Sequence, residues 1–344
     1  MTKPMKLWDC YKDEFNAEEK FKIVNGMSFS PEVTHIEAVK SMNTYDKMRD
    51  DDVIVSSYPR SGTHWSIALV DLVMHGGDIE TVKDRHIHER STWMDIPMAV
   101  LTGKAEMSIE GTKEQENPMV AAESVPSPRL LSTHLTYDFM PESVKQGKCK
   151  VVVILRNPKS VVTSLHVLND VPEYYKVVPT IDQTIEATLL TDAQDQMIYG
   201  SWFNHVSKWW MNKDKLKRNI HFIFYEDMKN NMGEVIKGLA KFLNKGIPDE
   251  QIKKMAEHLQ FEQMLKNPKT GKAFENLKLT DETIEFMESD SYKAAHMRKG
   301  VIDDWKTKLT ASQSKRIDAF LGPRLEKIGL KFQYEQRTRV CNIL

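Results

Sequence analysis

The segment Tyr58-Pro59-Arg60-Ser61-Gly62-Thr63-His64-Trp65 concentrates groups suited to holding an oxyanion. It follows an apolar run, Val53-Ile-Val-Ser-Ser57, and leads into a helical pattern, Trp65 to Met74, that stops at Gly76-Gly77. A strand-to-helix turn aims backbone N–H groups at one point, and the helix dipole adds partial positive charge there. Gly62 lets the backbone approach an anion closely. Ser61 and Thr63 offer hydroxyls, and Arg60 offers a fixed charge with a planar donor fork. By spacing alone an ordinary glycine-containing turn would look similar. The Gly-x4-Gly-Lys-Ser/Thr spacing of nucleotide triphosphatases is absent.

Three weaker groups stand elsewhere. Arg156 ends a β-branched run and Ser164 lies two turns into the helix that follows it. Arg298-Lys299-Gly300 sets two cations beside a glycine, enough to wrap a phosphate. His134 follows Ser132 and Thr133 at a strand end, where α/β sheets place their sites and where an imidazole accepts a proton from an attacking hydroxyl. Taken singly, each reads more simply as surface charge or as one histidine among 11.

The elements that must position these groups alternate. Strands are predicted at 53–57, 129–135, 150–156 and 220–225. Helices are predicted at 65–74, after Asn157-Pro158, and at 199–212, 229–243, 249–265 and 312–328. Alternation of this kind implies an α/β fold, a single domain with a central, mostly parallel sheet flanked by helices. Residues 1–50 read as a lead-in of short helical patterns and turns. Residues 266–300 read as a long polar loop, either plain surface or a lid over a ligand.

Composition narrows the classes of function. The chain has 344 residues, 40% hydrophobic and 28% charged, with 48 basic against 49 acidic side chains. Such a balance provides no global field for nucleic acid or an anionic membrane. No stretch approaches the roughly 20 apolar residues of a membrane span. The three cysteines, Cys10, Cys149 and Cys341, lie far apart, which points to a reducing compartment and to the cytoplasm.

Together the segments resemble the cytosolic sulfotransferase family over most of the chain. The family signature Tyr-Pro-Lys-Ser-Gly-Thr-Thr-Trp is similar to residues 58–65, and Thr133-His134-Leu135 matches its Thr-His-Leu. Arg156-Asn-Pro-Lys159 with Ser164 resembles its Arg-Asn-x-Lys-x-x-x-x-Ser element. The Tyr-Gly-Ser-Trp block stands at 199–202, Phe-Tyr-Glu-Asp-Met-Lys at 224–229, and Arg-Lys-Gly-x-x-x-Asp-Trp-Lys at 298–306.

The resemblance implies a P-loop-like strand-loop-helix that binds 3′-phosphoadenosine 5′-phosphosulfate (PAPS), with no metal. It implies His134 as catalytic base and Arg60 at the bridging oxygen of the leaving group. Residues 60–65 would hold the 5′ end. Arg156, Ser164, Arg298, Lys299 and Gly300 would hold the 3′-phosphate, and Trp65, Tyr225 and Phe261 would lie against the adenine. The products would be a sulfate ester or sulfamate and adenosine 3′,5′-bisphosphate.

Four positions depart from the family pattern. Arg60 stands for a lysine, His64 for a threonine, Ser132 for a lysine and Leu259 for a threonine. These leave donor binding expected and open two rivals: a non-catalytic nucleotide or small-molecule binder, and a dehydratase of the same fold acting through a sulfate ester.

The resemblance implies a small-molecule acceptor with a hydroxyl or amine as partner. Its pocket is expected from the N-terminal segment and residues 85–105 and 136–180. Trp93, Met94, Phe139, Tyr174 and Tyr175 favour a hydrophobic alcohol, phenol or steroid. Many relatives dimerise through Lys-x-x-x-Thr-Val-x-x-x-Glu; here Lys306, Thr310, Ala311 and Lys315 align with it, so a monomer or a dimer through another surface is expected. Cys341-Asn-Ile-Leu344 fits a prenylation box, though this family is not usually prenylated and chance matches of four residues are common.

Overall fold

Asn25-Gly26 turns the chain at φ +50° and +79° and joins β1 (Lys22–Val24) to β2 (Met27–Phe29) as an antiparallel hairpin. The lead-in is therefore partly strand and not only helix and turn. Asn-Gly is the residue pair that supplies positive φ at both turn positions, so the signal was present in the sequence. The computed structural model describes residues 21–31, 33–101, 117–169, 179–271 and 300–335. Arg298, Lys299, Tyr174, Tyr175, Cys10 and Cys341 lie outside the described residues. So does most of the 266–300 stretch, and with it the expected lid.

The main sheet has five parallel strands in the order β4 (Thr92–Trp93), β5 (Leu130–Thr133), β3 (Val53–Ser57), β6 (Lys150–Leu155), β7 (Ile220–Phe224). The expected mostly parallel α/β sheet is present, with β4 added at one edge. A two-residue strand carries too little periodicity to be read from sequence. Strand alternation splits the core between the faces. Ile54, Val151 and Val153 join one apolar cluster, and Val53, Val55, Val152 and Ile154 join the other. Both faces are covered, which is why β3 and β6 read as unbroken apolar runs.

The helices that matter for the site are α1 (Thr63–Met74), α2 (Pro158–Asn169), α3 (Trp202–Met211), α4 (Tyr225–Asn230), α5 (Met232–Phe242), α6 (Asp249–His258), α7 (Phe261–Lys266) and α8 (Ala311–Lys327). Pro158 opens α2, where its missing N–H costs nothing. Two expected helices are each divided. Asn231, at φ −154°, closes α4 and caps α5. Leu259 and Gln260 separate α6 from α7, because Leu259 buries its side chain while its carbonyl turns to accept a bond from Trp65.

At the opposite end of the strands from the turn at 58–62, Arg129 and Asp52 form a buried bidentate pair, with Nε to Oδ1 at 2.7 Å. It ties the start of β5 to the start of β3 and helps hold their register. Cys149, fully buried, has its thiol pushed up to about 12, chiefly by burial, so it is a poor nucleophile.

Candidate active site

Parallel strands deliver their C-terminal ends to one edge of a sheet. Ser56 is paired with Thr133, Ser57 with Ile154, and Leu155 with Phe224. His134, the turn at 58–62, Arg156 and Tyr225 therefore emerge side by side, each one residue or one turn beyond its strand. Positions up to 167 residues apart, His134 and Arg60 among them, meet because the register leaves them nowhere else to go.

The turn itself is built by positive φ. Arg60 takes φ +67° and Gly62 φ +95°, and the Ser61 N–H closes the turn on the Tyr58 carbonyl at 3.1 Å. Gly62 caps α1, whose first N–H groups have no intrahelical partners and point out of the helix end. A Cβ on Gly62 would come within 2.7 Å of the Tyr225 ring, so no larger residue fits. Thr63 bonds Ser57 across the turn at 2.7 Å.

Arg60 and Arg156 lock one another in place. Arg156 Nη1 donates to the Arg60 carbonyl at 2.7 Å while its guanidinium stacks over the Tyr225 ring at 4.1 Å. Arg60 Nε donates to Ser164 Oγ at 3.0 Å. Thus Arg60, Arg156 and Ser164, separated in the sequence, make one basic cluster. Two of its neighbouring atoms, Ser61 Oγ and Arg156 Nε, are buried without a hydrogen-bond partner among the described residues. Buried donors of this kind are paired in nearly all native proteins. They fit a ligand oxygen.

An aromatic group stands beside this cluster. Trp65 and Tyr225 meet edge to face at 5.5 Å, and Trp65 Nε1 donates to the Leu259 carbonyl at 2.7 Å. That bond fixes the indole plane and gives Leu259 a backbone role at the position where a threonine was expected. Lys229 lies 5.4 Å from the Phe261 ring and 6.0 Å from that of Trp65. Gly300, at φ +58°, sits so close to Phe261 that a Cβ would be 2.6 Å from the ring. The break between α6 and α7 is what presents Phe261 to Gly300.

His134 is held as a neutral imidazole. Its Nδ1 lies 2.7 Å from the Ser57 carbonyl, which accepts only, so Nδ1 carries the hydrogen and Nε2 keeps a lone pair. The ring is flanked by Trp93 at 4.8 Å and Tyr199 at 5.2 Å. Burial pushes its pKa down to about 4, with the Ser57 carbonyl pulling the other way. His64 packs edge-on against His88 at 5.1 Å. Burial first, then the charges of His88, His134, Arg60 and His86, hold it well below the ordinary histidine range. By exposed area His64 and His134 are only partly covered, so both remain open to a ligand.

Some residues of the motifs serve the frame. Asn157 donates twice to Glu226 Oε1, from N at 2.9 Å and Nδ2 at 2.8 Å, joining the end of β6 to α4. Lys159 bonds Ser314 and Asp318 and lies 4.6 Å from the Trp305 ring. It clamps the C-terminal segment to α2. Ser132 is buried and pairs with Ser91, so the position where a lysine was expected faces inward. Trp93, Met94 and Phe139 are buried in the core, and Trp93 packs against the His134 ring. Sequence reasoning passed over Asp95 and marked Tyr199 only as part of the 199–202 block, without a role; the acid next to Trp93-Met94 was a visible signal but a lone one.

The chain matches the family model described as the sulfotransferase domain over residues 50–329. It is 32% identical to sulfotransferase 1B1 of Canis lupus familiaris over 287 residues, 83% of this chain and 88% of the relative. It is 30% identical to sulfotransferase 1 family member D1 of Mus musculus with the same coverage. Among solved structures it is similar to mouse sulfotransferase SULT7A1 complexed with PAP. That match has a TM-score of 0.63 and 27% identity, and covers 89% of this chain and 95% of the other. It also shares its fold with retinol dehydratase in complex with androsterone and PAP, at a TM-score of 0.68, 20% identity and 89% coverage of each chain.

Proposed function

From the premise that this chain belongs to the sulfotransferase family and is a sulfotransferase, using PAPS as donor, we propose how its own residues carry out the transfer. The donor supplies a sulfuryl group already activated by its phosphate leaving group. The turn at 60–65 receives the 5′ end, through the α1 N–H groups, Ser61 Oγ and Thr63. Arg156, with Ser164 and Gly300, and with Arg298 and Lys299 outside the described residues, receives the 3′-phosphate. Trp65, Tyr225 and Phe261 receive the adenine.

His134 Nε2 takes the acceptor's proton as the acceptor oxygen closes on sulfur. The bond from sulfur to the phosphate oxygen breaks, and the Arg60 guanidinium neutralises charge on the departing oxygen. Catalysis here is positioning and fixed electrostatics. The observation that carries this reading is the Nδ1 contact with the Ser57 carbonyl, which leaves Nε2 unprotonated at the strand edge beside the arginine cluster.

The acceptor is proposed to be a small hydrophobic alcohol, phenol or steroid, or an amine, met in the cytoplasm. The aromatic walls around His134 support it. Among the described residues no helix is long and apolar enough to cross a membrane.

A screen of labelled PAPS against an acceptor library, read by mass spectrometry, tests the reading. A sulfate ester or sulfamate is expected. Binding without turnover would select a non-catalytic binder, and a dehydrated product would select an eliminating enzyme. His134→Ala should lower turnover roughly 100-fold or more while leaving adenosine 3′,5′-bisphosphate binding nearly intact; near-normal turnover would remove His134 from the mechanism.

A further inference from the structure

Asp95 carries a fully buried carboxyl behind the catalytic edge. Its backbone carbonyl accepts from the His35 N–H at 2.9 Å, so the main chain is anchored there. Around the carboxyl stand the Thr133 and Tyr199 hydroxyls and the His134 backbone N–H. These groups face it without reaching hydrogen-bond geometry, and neither carboxyl oxygen has a settled partner among the described residues. Tyr199 is itself held in an unusual conformation, φ +64° for a non-glycine residue. Its hydroxyl lies 3.3 Å from Thr34 Oγ1 and its ring packs at 68° against His134.

A carboxyl in such a place is costly unless it is used, since burying a charge without full pairing is strongly unfavourable. We propose that Asp95 is a positioning residue of the transfer site. Through Tyr199 and the His134 backbone, its carboxylate orients the imidazole and stabilises the imidazolium formed when Nε2 takes the acceptor's proton. The inference rests on the reading of His134 as base.

The chemistry requires such a group. Burial, partly offset by the Ser57 carbonyl, leaves His134 at about 4, a weak base at neutral pH, whereas a general base works best when its pKa lies near the operating pH. A fixed negative charge close by raises the proton affinity of an imidazole. The titratable side chains facing Asp95 are Tyr199, on the turn before α3, and, across the Tyr199 ring, His134 at the end of β5. Thr133 and Thr34 contribute neutral hydroxyls. The Asp95 carboxyl is itself pushed up to about 6, chiefly by burial.

The test is a pH titration of the carbon-13-labelled histidines by NMR, on the full chain bound to adenosine 3′,5′-bisphosphate. The His134 resonance is identified by its loss in His134→Gln. In Asp95→Asn the His134 midpoint should fall by on the order of one pH unit, a tenfold loss of proton affinity, the size expected for a charge at close range in a medium of intermediate dielectric. Nucleotide affinity should stay the same. If Asp95→Asn does not fold, Tyr199→Phe keeps the ring edge, removes the linking hydroxyl and should lower the midpoint in the same direction. An unchanged His134 midpoint in the folded variant overturns the proposal. The titration reads His134 whether or not it is the base, so normal turnover in His134→Ala would instead mark failure of the catalytic reading.

Discussion

Arg156 reaches from the end of β6 to the Arg60 carbonyl at 2.7 Å and lays its guanidinium 4.1 Å over the Tyr225 ring. One side chain thus supports both the turn at 58–62 and the Tyr225 ring, the proposed seats of the 5′ end and of the adenine. Arg156→Lys keeps the charge but loses the planar stack and the fork. Its expected effect is a drop of tenfold or more in adenosine 3′,5′-bisphosphate affinity, measured by calorimetry. A variant binding as tightly as wild type would reduce Arg156 to a point charge.

Arg60 stands where the family signature carries lysine, and its Nε is already committed to Ser164. In the proposed mechanism the remaining guanidinium nitrogens meet charge that grows mainly as the leaving group departs. Arg60→Ala should therefore lower kcat by roughly 100-fold and weaken product nucleotide binding much less. Equal losses in both would show that Arg60 acts in binding alone. Arg60→Lys should retain most activity.

Gly300 meets Phe261 with no room for a methyl group and has positive φ. Gly300→Ala should strain the backbone by about 1–2 kcal/mol and displace the Phe261 ring. The expected outcome is a nucleotide affinity reduced several-fold, with thermal stability of the unliganded protein changed little beyond that strain. Unaltered affinity would mean that Phe261 tolerates movement.

Asp95 also makes a prediction about stability against pH. Its carboxyl pKa is raised in the folded protein from 3.8 to about 6. The folded state therefore holds this proton more tightly than the unfolded chain. The stabilisation it contributes is complete below the unfolded pKa and is lost as pH rises through 6. Asp95→Asn removes the loss. By urea unfolding the variant should exceed wild type by about 3 kcal/mol at pH 8 and by about half as much at pH 5. A difference independent of pH would show that the carboxyl keeps the same pKa in the folded and unfolded states.

Lys306 is engaged with Glu335 at 2.6 Å, Thr310 caps α8, and Ala311 and Lys315 are exposed. This surface lacks the valine and the glutamate of the dimerisation motif that the family resemblance would imply. At micromolar concentration, light scattering coupled to size exclusion should give a monomer, or a dimer that survives Lys315→Glu unchanged. A dimer dissociated by substitutions at 306–315 would place the interface there.

The sequence by itself determined the local pieces. The β-branched runs of β3 and β6 could bury on both faces only in a covered parallel sheet, and Gly62 announced a turn open to an anion. The blocks around residues 60, 134, 156, 225 and 261 marked each side chain singly, because strand ends, turns and helix starts are set by neighbours in the chain.

Only the tertiary structure decided what those side chains do to one another. The register of β5, β3, β6 and β7 sets His134 Nδ1 on the Ser57 carbonyl and Arg156 on the Arg60 carbonyl. It also turns Asn157 and Lys159, read as parts of a phosphate motif, toward Glu226 and Asp318. Asp95 and Tyr199 were invisible as a pair, since 104 residues of chain separate them and no periodicity links them. Their effect on His134 depends on burial and on shared walls. Those are properties of the packed interior, where removal of water decides which proton a carboxyl or an imidazole keeps.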